Sequence, residues 1–291
     1  MKALRVHAWN QPPRLEDVAE PVRTPGRTLV RMAAATVGHI DRTVWGGQFM
    51  TPPSLPYVPG VEAAGIVLES ETFATGERVW VRGEGLGTRS DGTWREVIDA
   101  PDTAIGRLPD SVPMALGSAF FSPCTSAWVA LHEVARVRAG ERVLVSGASG
   151  AVGSLVIQLA RDAGAEACAL SAEGPASAPP ADVLIDTVGG PVLAAALERV
   201  VPGGRAVLVG YTAGSELAID IPRFLQRDVS LLPLNMFRRD AAGRAAAPEL
   251  LARLADGRLQ LQVMEFPLAD AAHAMQWIAQ RGHRGRAVLV P

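Results

Sequence analysis

An apolar run, Arg142–Val145, leads directly into SGASGAVG (146–153), and a helix-periodic stretch from about Val152 to Ala163 and a second apolar run, Glu166–Leu170, follow. Strand, glycine turn, helix and strand make a βαβ unit, which commits this part of the chain to a parallel sheet. Within the turn the glycines fall at 147, 150 and 153, with Ala148 in the first position of the usual G-x-G-x-x-G. A glycine triplet alone serves a plain tight turn equally well. Its place between a strand and a helix points instead to a dinucleotide. A side chain at Gly150 would keep a pyrophosphate off the backbone, Gly153 lets helix and strand pack closely, and the helix N-terminus offers free amides. Gly147, Ser149, Gly150, Ala151, Val152 and Gly153 are therefore the candidate phosphate-binding residues.

A carboxylate at the end of the second strand would bond both hydroxyls of the adenosine ribose, but that position holds Ser171, which leaves room for a 2′-phosphate. Glu173 lies two residues on and could still reach the ribose. The balance leans to NADP(H) over NAD(H), with both open.

Further strands are expected at Val183–Asp186 and Ala206–Val209, with a helix at about Val192–Val200 between them, then helices at Ala246–Leu254 and Ala269–Gln280 and a last strand at Arg286–Val290. Residues 1–115 differ in texture, with short runs such as Leu29–Met32, Gly65–Glu69 and Arg78–Val81 broken by turn residues. That pattern reads as a compact β domain. Gly210 and Tyr211 follow the run Ala206–Val209, at the carboxyl end of a parallel strand where ligands bind such sheets. Asn235, just past the run Val229–Leu234, is a further cofactor-side candidate.

The inventory excludes other chemistries. The only lysine is Lys2, so an internal Schiff-base lysine and a Walker-type phosphate loop are ruled out. Two cysteines, Cys124 and Cys168, are too few for a four-thiolate zinc site or a disulfide framework. The net charge of −2, with no basic cluster, argues against nucleic acid and anionic membranes. No long apolar span is present, and the start MKALRVHAWNQPP lacks the apolar core of a secretory signal, so a cytoplasmic protein acting on a small molecule is expected.

With these pieces in order the chain resembles the medium-chain dehydrogenase/reductase superfamily, particularly its zinc-independent quinone oxidoreductase and enoyl reductase branch. The matching segments are VGHID (37–41), LPYVPGVEAAGIV (55–67), GERVW (76–80), AGERVLVSGASGAVGSLVIQLARDAGAE (139–166), DVLIDTVGG (182–190), PGGRAVLVG (202–210) and HRGRAVLVP (283–291). The resemblance implies an α/β fold with a GroES-like catalytic β domain at 1–117, a Rossmann dinucleotide-binding domain at 118–260, and a segment 261–291 returning to the first domain. It also implies an active cleft between the domains and a homodimer formed through the strand Val229–Leu234.

The zinc ligands of the family's alcohol dehydrogenases align with Gly38, Val61 and Ser122, which together offer one hydroxyl; no metal is expected, and Cys124 is two residues out of place. The family's proton-relay hydroxyl aligns with Ile40, and the tyrosine that many enoyl reductases carry aligns with Phe49. His39 and Asp41 remain as candidate catalytic residues. His39 matches a position that touches the cofactor in some relatives, and a proton-transfer role and a plain surface role stay open beside that one. For Asp41, and for Glu62, the simpler job is accepting backbone N–H bonds. Trp45, Phe49, Phe120 and Phe121 are pocket or ordinary core.

The chain departs from the family between Leu170 and Ala181, where about a dozen residues stand in place of a helix, a strand and a helix. The resemblance implies that the missing piece is the edge strand of a 3-2-1-4-5-6 sheet, so the fold survives while one wall of the adenine pocket is put at risk. The resulting expectation is an NAD(P)H-dependent reductase of quinones or α,β-unsaturated carbonyls. A catalytically silent cofactor-binding partner and a biosynthetic enzyme without net redox change are the alternatives.

Overall fold

The computed structural model describes residues 1–170, 174, 177–280, 282 and 284–291. The chain divides into two compact units, one of Met1–Phe121 with Leu261–Pro291 and one of Ser122–Gln260. The division falls at Phe121/Ser122 rather than at 117/118, because the helix Met114–Ala119 packs on the sheet of the first unit.

The first unit opens with a hairpin of β1 (Lys2–Arg5) and β2 (Arg14–Asp17). β3 (Arg27–Val37) is the spine of its sheet. It is followed by α1 (His39–Trp45), β4 (Glu62–Glu69), β5 (Arg78–Arg82), β6 (Val97–Pro101), β7 (Ile105–Arg107) and α2 (Met114–Ala119). β-branched and small residues let β3 pair along its length with β4 and β6. Its inward residues Val30, Met32, Ala35 and Val37 join Trp94, Ile98 and Val79 in the core.

The second unit runs α3 (Phe121–Val129), β8 (Arg142–Ser146), α4 (Ala151–Asp162), β9 (Glu166–Ala169), β10 (Ala181–Asp186), α5 (Gly190–Leu197), β11 (Val200–Leu208), α6 (Ile221–Arg227), β12 (Ser230–Pro233) and α7 (Asp240–Ala255). Its strands form one parallel sheet in the order β12-β11-β10-β8-β9. Val143, Leu144 and Val145 of β8 have no exposed surface, as expected of a central strand covered on both faces. α4 buries Leu155, Val156, Leu159 and Ala160, an i, i+1, i+4, i+5 stripe that lies over β8 and β9. The helix expected to reach Val200 stops at Leu197, since Val200 and Val201 already belong to β11.

The C-terminal segment adds β13 (Val263–Pro267), α8 (Ala271–Trp277) and β14 (Arg286–Val290) to the first unit. β14 pairs antiparallel with β3, and β13 extends the sheet beyond it. None of the helices among the described residues is long and apolar enough to cross a membrane.

Candidate functional site

The sheet of the second unit reverses its winding at β8, with β9 on one side and β10 on the other. Ligands bind α/β sheets in the crevice beyond the carboxyl ends of the strands at such a point. Here the ends of β8 and β10 are fastened together. Ser146 Oγ donates to Asp186 Oδ1, the Thr187 amide donates to Ser146 Oγ at 3.1 Å, and Thr187 Oγ1 donates to the Ser146 carbonyl at 2.8 Å. The Gly189 amide completes the clasp, donating to Asp186 Oδ2 at 2.7 Å. Ser146 and Asp186 have no exposed surface, and burial raises the Asp186 carboxyl above its usual range, opposed by the bonds from Ser146 and from the Gly189 and Val188 amides. Neither residue stands out in the sequence as part of the site; the segment DTVGG (186–190) directly after an apolar strand is the available signal.

The three turn glycines do different work. Gly147 has φ +63°, and a Cβ there would sit 2.2 Å from Thr187 Oγ1. At Gly153 a Cβ would meet the Gly147 carbonyl oxygen at 2.3 Å, so α4 approaches the turn only with glycine at this place. Gly150 is unlike both. Its backbone is extended (φ −75°, ψ 167°), and a Cβ would press slightly on the Gly147 carbonyl oxygen, at 3.3 Å, with no other atom within 4 Å. The protein itself leaves the space beyond Gly150 open, which fits a requirement imposed by a ligand rather than by packing. Gly150 is the N-cap of α4 and no side chain caps it, so the amides of Ala151, Val152 and Gly153 keep the free donors of a helix N-terminus. Ser149 is exposed on the rim of this turn. These residues fit a pyrophosphate held by backbone amides.

Gly210 lies two residues past β11, and a Cβ there would strike the Thr187 carbonyl oxygen at 2.2 Å. Tyr211 next to it is 69% exposed. Asn235, beyond β12, is exposed and accepts a bond from the Arg238 amide at 3.2 Å, so its side-chain oxygen serves a local turn. Ser171 and Glu173 lie outside the described residues.

In the first unit, Asp41 is 1% exposed and accepts the Gly38 amide on Oδ2 at 2.7 Å, closing the start of α1. Its Oδ1 has no hydrogen-bond partner among the described residues. Burial pushes the carboxyl up to about 7; the Gly38 amide and the Arg286 charge pull the other way. Glu62, also 1% exposed, is held by Arg286 Nη2 at 2.5 Å and lies 3.8 Å from Arg82 Nε. His39, the first residue of α1, is exposed. Tyr57 was not singled out by sequence, yet its ring is 1% exposed and its hydroxyl has no partner among the described residues. Burial, reinforced by the Asp41 charge, raises that phenol above its usual range.

The aromatic candidates separate. Trp45 lines a surface recess with Asn10, Arg42 and Met275. Phe49 packs on the cluster of Val6, Val44 and Tyr57. Phe121 is 5% exposed and stacks on Trp80 at 4.7 Å between ring centroids, and Phe120 has no exposed surface. Both are buried in the first unit. Of the positions aligned with zinc ligands, Val61 is 1% exposed, and a Cβ at Gly38 would be 3.4 Å from an Arg286 guanidinium nitrogen.

Residues 24–110 match the alcohol dehydrogenase GroES-like domain family, and residues 163–289 match the zinc-binding dehydrogenase family. The quinone oxidoreductase of Lama guanicoe is 35% identical over 168 residues, 55% of this chain and 49% of that protein. The chain thus spans about half the length of the first curated relatives it matches. The quinone oxidoreductase of Rattus norvegicus is 28% identical over 327 residues, covering 100% of this chain and 98% of that protein. Among solved structures, the quinone oxidoreductase of Pseudomonas syringae pv. Tomato DC3000 superposes with a TM-score of 0.85 at 24% identity, covering 100% of this chain and 99% of that one, a likeness of fold. Residues 24–110 and 163–289 thus carry, in order, the two domains of the medium-chain dehydrogenase/reductase superfamily.

Proposed function

We propose that this protein is an NAD(P)H-dependent, zinc-independent oxidoreductase that reduces a quinone or an α,β-unsaturated carbonyl, with NADPH the preferred form. The observation that carries the reading is Gly150: a glycine with one protein atom within 4 Å of its absent Cβ, at the uncapped N-terminus of α4, beside the switch point of a parallel sheet. The relatives' name, quinone oxidoreductase, supports a quinone acceptor, and an enone belongs to the same class of electrophile. When bound, reduced nicotinamide supplies a hydride.

The chain's own part is positioning. The amides of Ala151, Val152 and Gly153 hold the pyrophosphate, the Ser146–Asp186 clasp fixes the turn that presents them, and Gly210 and Tyr211 flank the carboxyl end of β11. Gly38, Val61 and Ser122 supply no zinc set, and this favours an acceptor that is electrophilic without a Lewis acid. The acceptor takes up one hydride and one proton. Solvent supplies the proton, with exposed His39 as the side chain able to relay it. Asp41 is a positioning residue, since one oxygen is spent on Gly38 and the carboxylate is buried.

The absence of a basic cluster favours a small-molecule partner over nucleic acid or membrane, and the reading includes a cytoplasmic setting. β12 is an edge strand, with Leu231 and Leu232 half-buried, and pairing it with a second copy would make a homodimer. Titration of the purified protein with NADPH, followed by nicotinamide fluorescence, tests the reading. Saturable binding well below about 1 mM is expected, and no binding of either NADPH or NADH up to that concentration overturns it.

A further inference from the structure

The parallel sheet is unequal about β8. On one side stand β10, β11 and β12, joined through α5 and α6; on the other, among the described residues, stands β9 alone, four residues long and at the sheet edge. A dinucleotide fold of this type is two three-strand halves, each serving one mononucleotide, and the adenosine ribose belongs to the half that contains the second strand. That half is the short one here. A crossover between parallel strands takes about a dozen residues or more, and a third strand would need two crossovers. Only eleven residues lie between Ala169 and Ala181. The alignment with the rat relative runs over 327 positions, more than the 291 residues of this chain, so that relative carries segments that this chain lacks.

The other half is complete and tightly built. Gly189 and Gly190 have φ of +71° and +57°, and a Cβ on either would meet a carbonyl oxygen of the segment after β11 at 2.6 or 2.7 Å. With the close approach of Gly210 to Thr187, these contacts hold the backbone beyond β10 and β11 in one shape. The pyrophosphate turn is tied to this half by Ser146 and Asp186. The segment 171–180 also contains no lysine or arginine to meet a 2′-phosphate.

We infer that the protein takes its nucleotide through the phosphate turn and the nicotinamide half, so that reduced nicotinamide mononucleotide is a ligand comparable to the dinucleotides. Adenosine adds little, and the preference for NADPH over NADH is slight. This rests on the dehydrogenase reading above and narrows its ligand class.

The test is a fluorescence titration of the full chain with NADPH, NADH and reduced nicotinamide mononucleotide, each then competed with NADP. The expected result is three dissociation constants within about tenfold of one another, with every ligand displaced. Mononucleotide binding weaker than NADPH by more than about tenfold, or not displaced, overturns this inference and leaves the dehydrogenase reading intact. Failure of all three to bind removes both.

Discussion

Ser146 and Asp186 join the carboxyl ends of the two central strands, β8 and β10, through a hydrogen bond from the serine hydroxyl to a carboxylate that has no exposed surface. The same hydroxyl accepts the Thr187 amide, so one side chain satisfies a buried carboxylate and a half-buried amide. Ser146→Ala leaves both without it. Leaving a buried polar group unpaired costs about 1–3 kcal/mol, so the variant should melt several degrees lower and bind NADPH more weakly. An unchanged melting temperature would show that the clasp carries no load.

Gly150 and Gly153 should separate in a substitution experiment. Gly153→Ala drives a methyl into the Gly147 carbonyl and should destabilise the fold along with binding. Gly150→Ala meets a single backbone contact at 3.3 Å, which asks the Gly147 carbonyl to give by a few tenths of an ångström, so it should lose far less stability than Gly153→Ala and yet bind NADPH at least about tenfold more weakly. Paired melting curves and titrations check this. Intact NADPH affinity in folded Gly150→Ala would remove the main support for a pyrophosphate at this turn.

Asp41 predicts a pH dependence. Its folded pKa, about 7, is raised by burial above the unfolded value, so the folded state holds the proton more tightly. The stability that this contributes is present below the unfolded pKa and is lost as pH rises through the folded one. Asp41→Asn does not titrate and keeps an oxygen for the Gly38 amide. Its melting temperature relative to the parent should therefore rise between about pH 4 and pH 7 and level off above. A constant difference across that window would contradict a buried, proton-holding Asp41.

Glu62 should behave differently, because Arg286 and Arg82 compensate its charge. Breaking a buried pair from one side leaves an uncompensated charge and costs about 3–5 kcal/mol. Glu62→Ala is expected to lose that order of stability by denaturant titration, far more than removal of an exposed pair such as Lys2 with Asp17.

Tyr57 carries a buried hydroxyl with no partner among the described residues. Tyr57→Phe removes an unsatisfied group while keeping the ring against Trp9, whose centroid is 5.9 Å away. The variant should be at least as stable as the parent, with quinone and enone turnover unchanged. A large fall in turnover would make the phenol a participant and displace solvent as the proton source.

Much of the fold was legible because the signals were local. Arg142–Val145, the glycines behind it and the periodic stretch from Val152 specify strand, turn and helix without outside help, and β14 begins and ends where its alternation does. The end of α5 is hidden in the sequence because apolar periodicity runs on to Val200, a β-branched residue that pairs with Ala181 of β10 instead. The site was legible in part. The roles of Gly150 and Gly153 follow from spacing, whereas the clasp of Ser146 and Asp186 joins residues 40 positions apart and exists only once β8 and β10 are side by side. Phe121 could not be told from a pocket residue by sequence, since its burial is set by Trp80 from β5. Likewise, nothing local announced that Arg286 would reach Glu62 across 224 residues.

The most direct test of the central claim is a single-turnover experiment. The protein saturated with NADPH is mixed with a simple quinone or an enone, and the loss of reduced-nicotinamide absorbance is followed with and without chelator. Acceptor-dependent oxidation of the bound nucleotide, unaffected by the chelator and reduced in amplitude in Gly150→Ala at an NADPH concentration that just saturates the parent, is the predicted result. Tight NADPH binding with no oxidation by any quinone or enone would contradict it, and would leave a nucleotide-binding protein that is not a reductase of these acceptors.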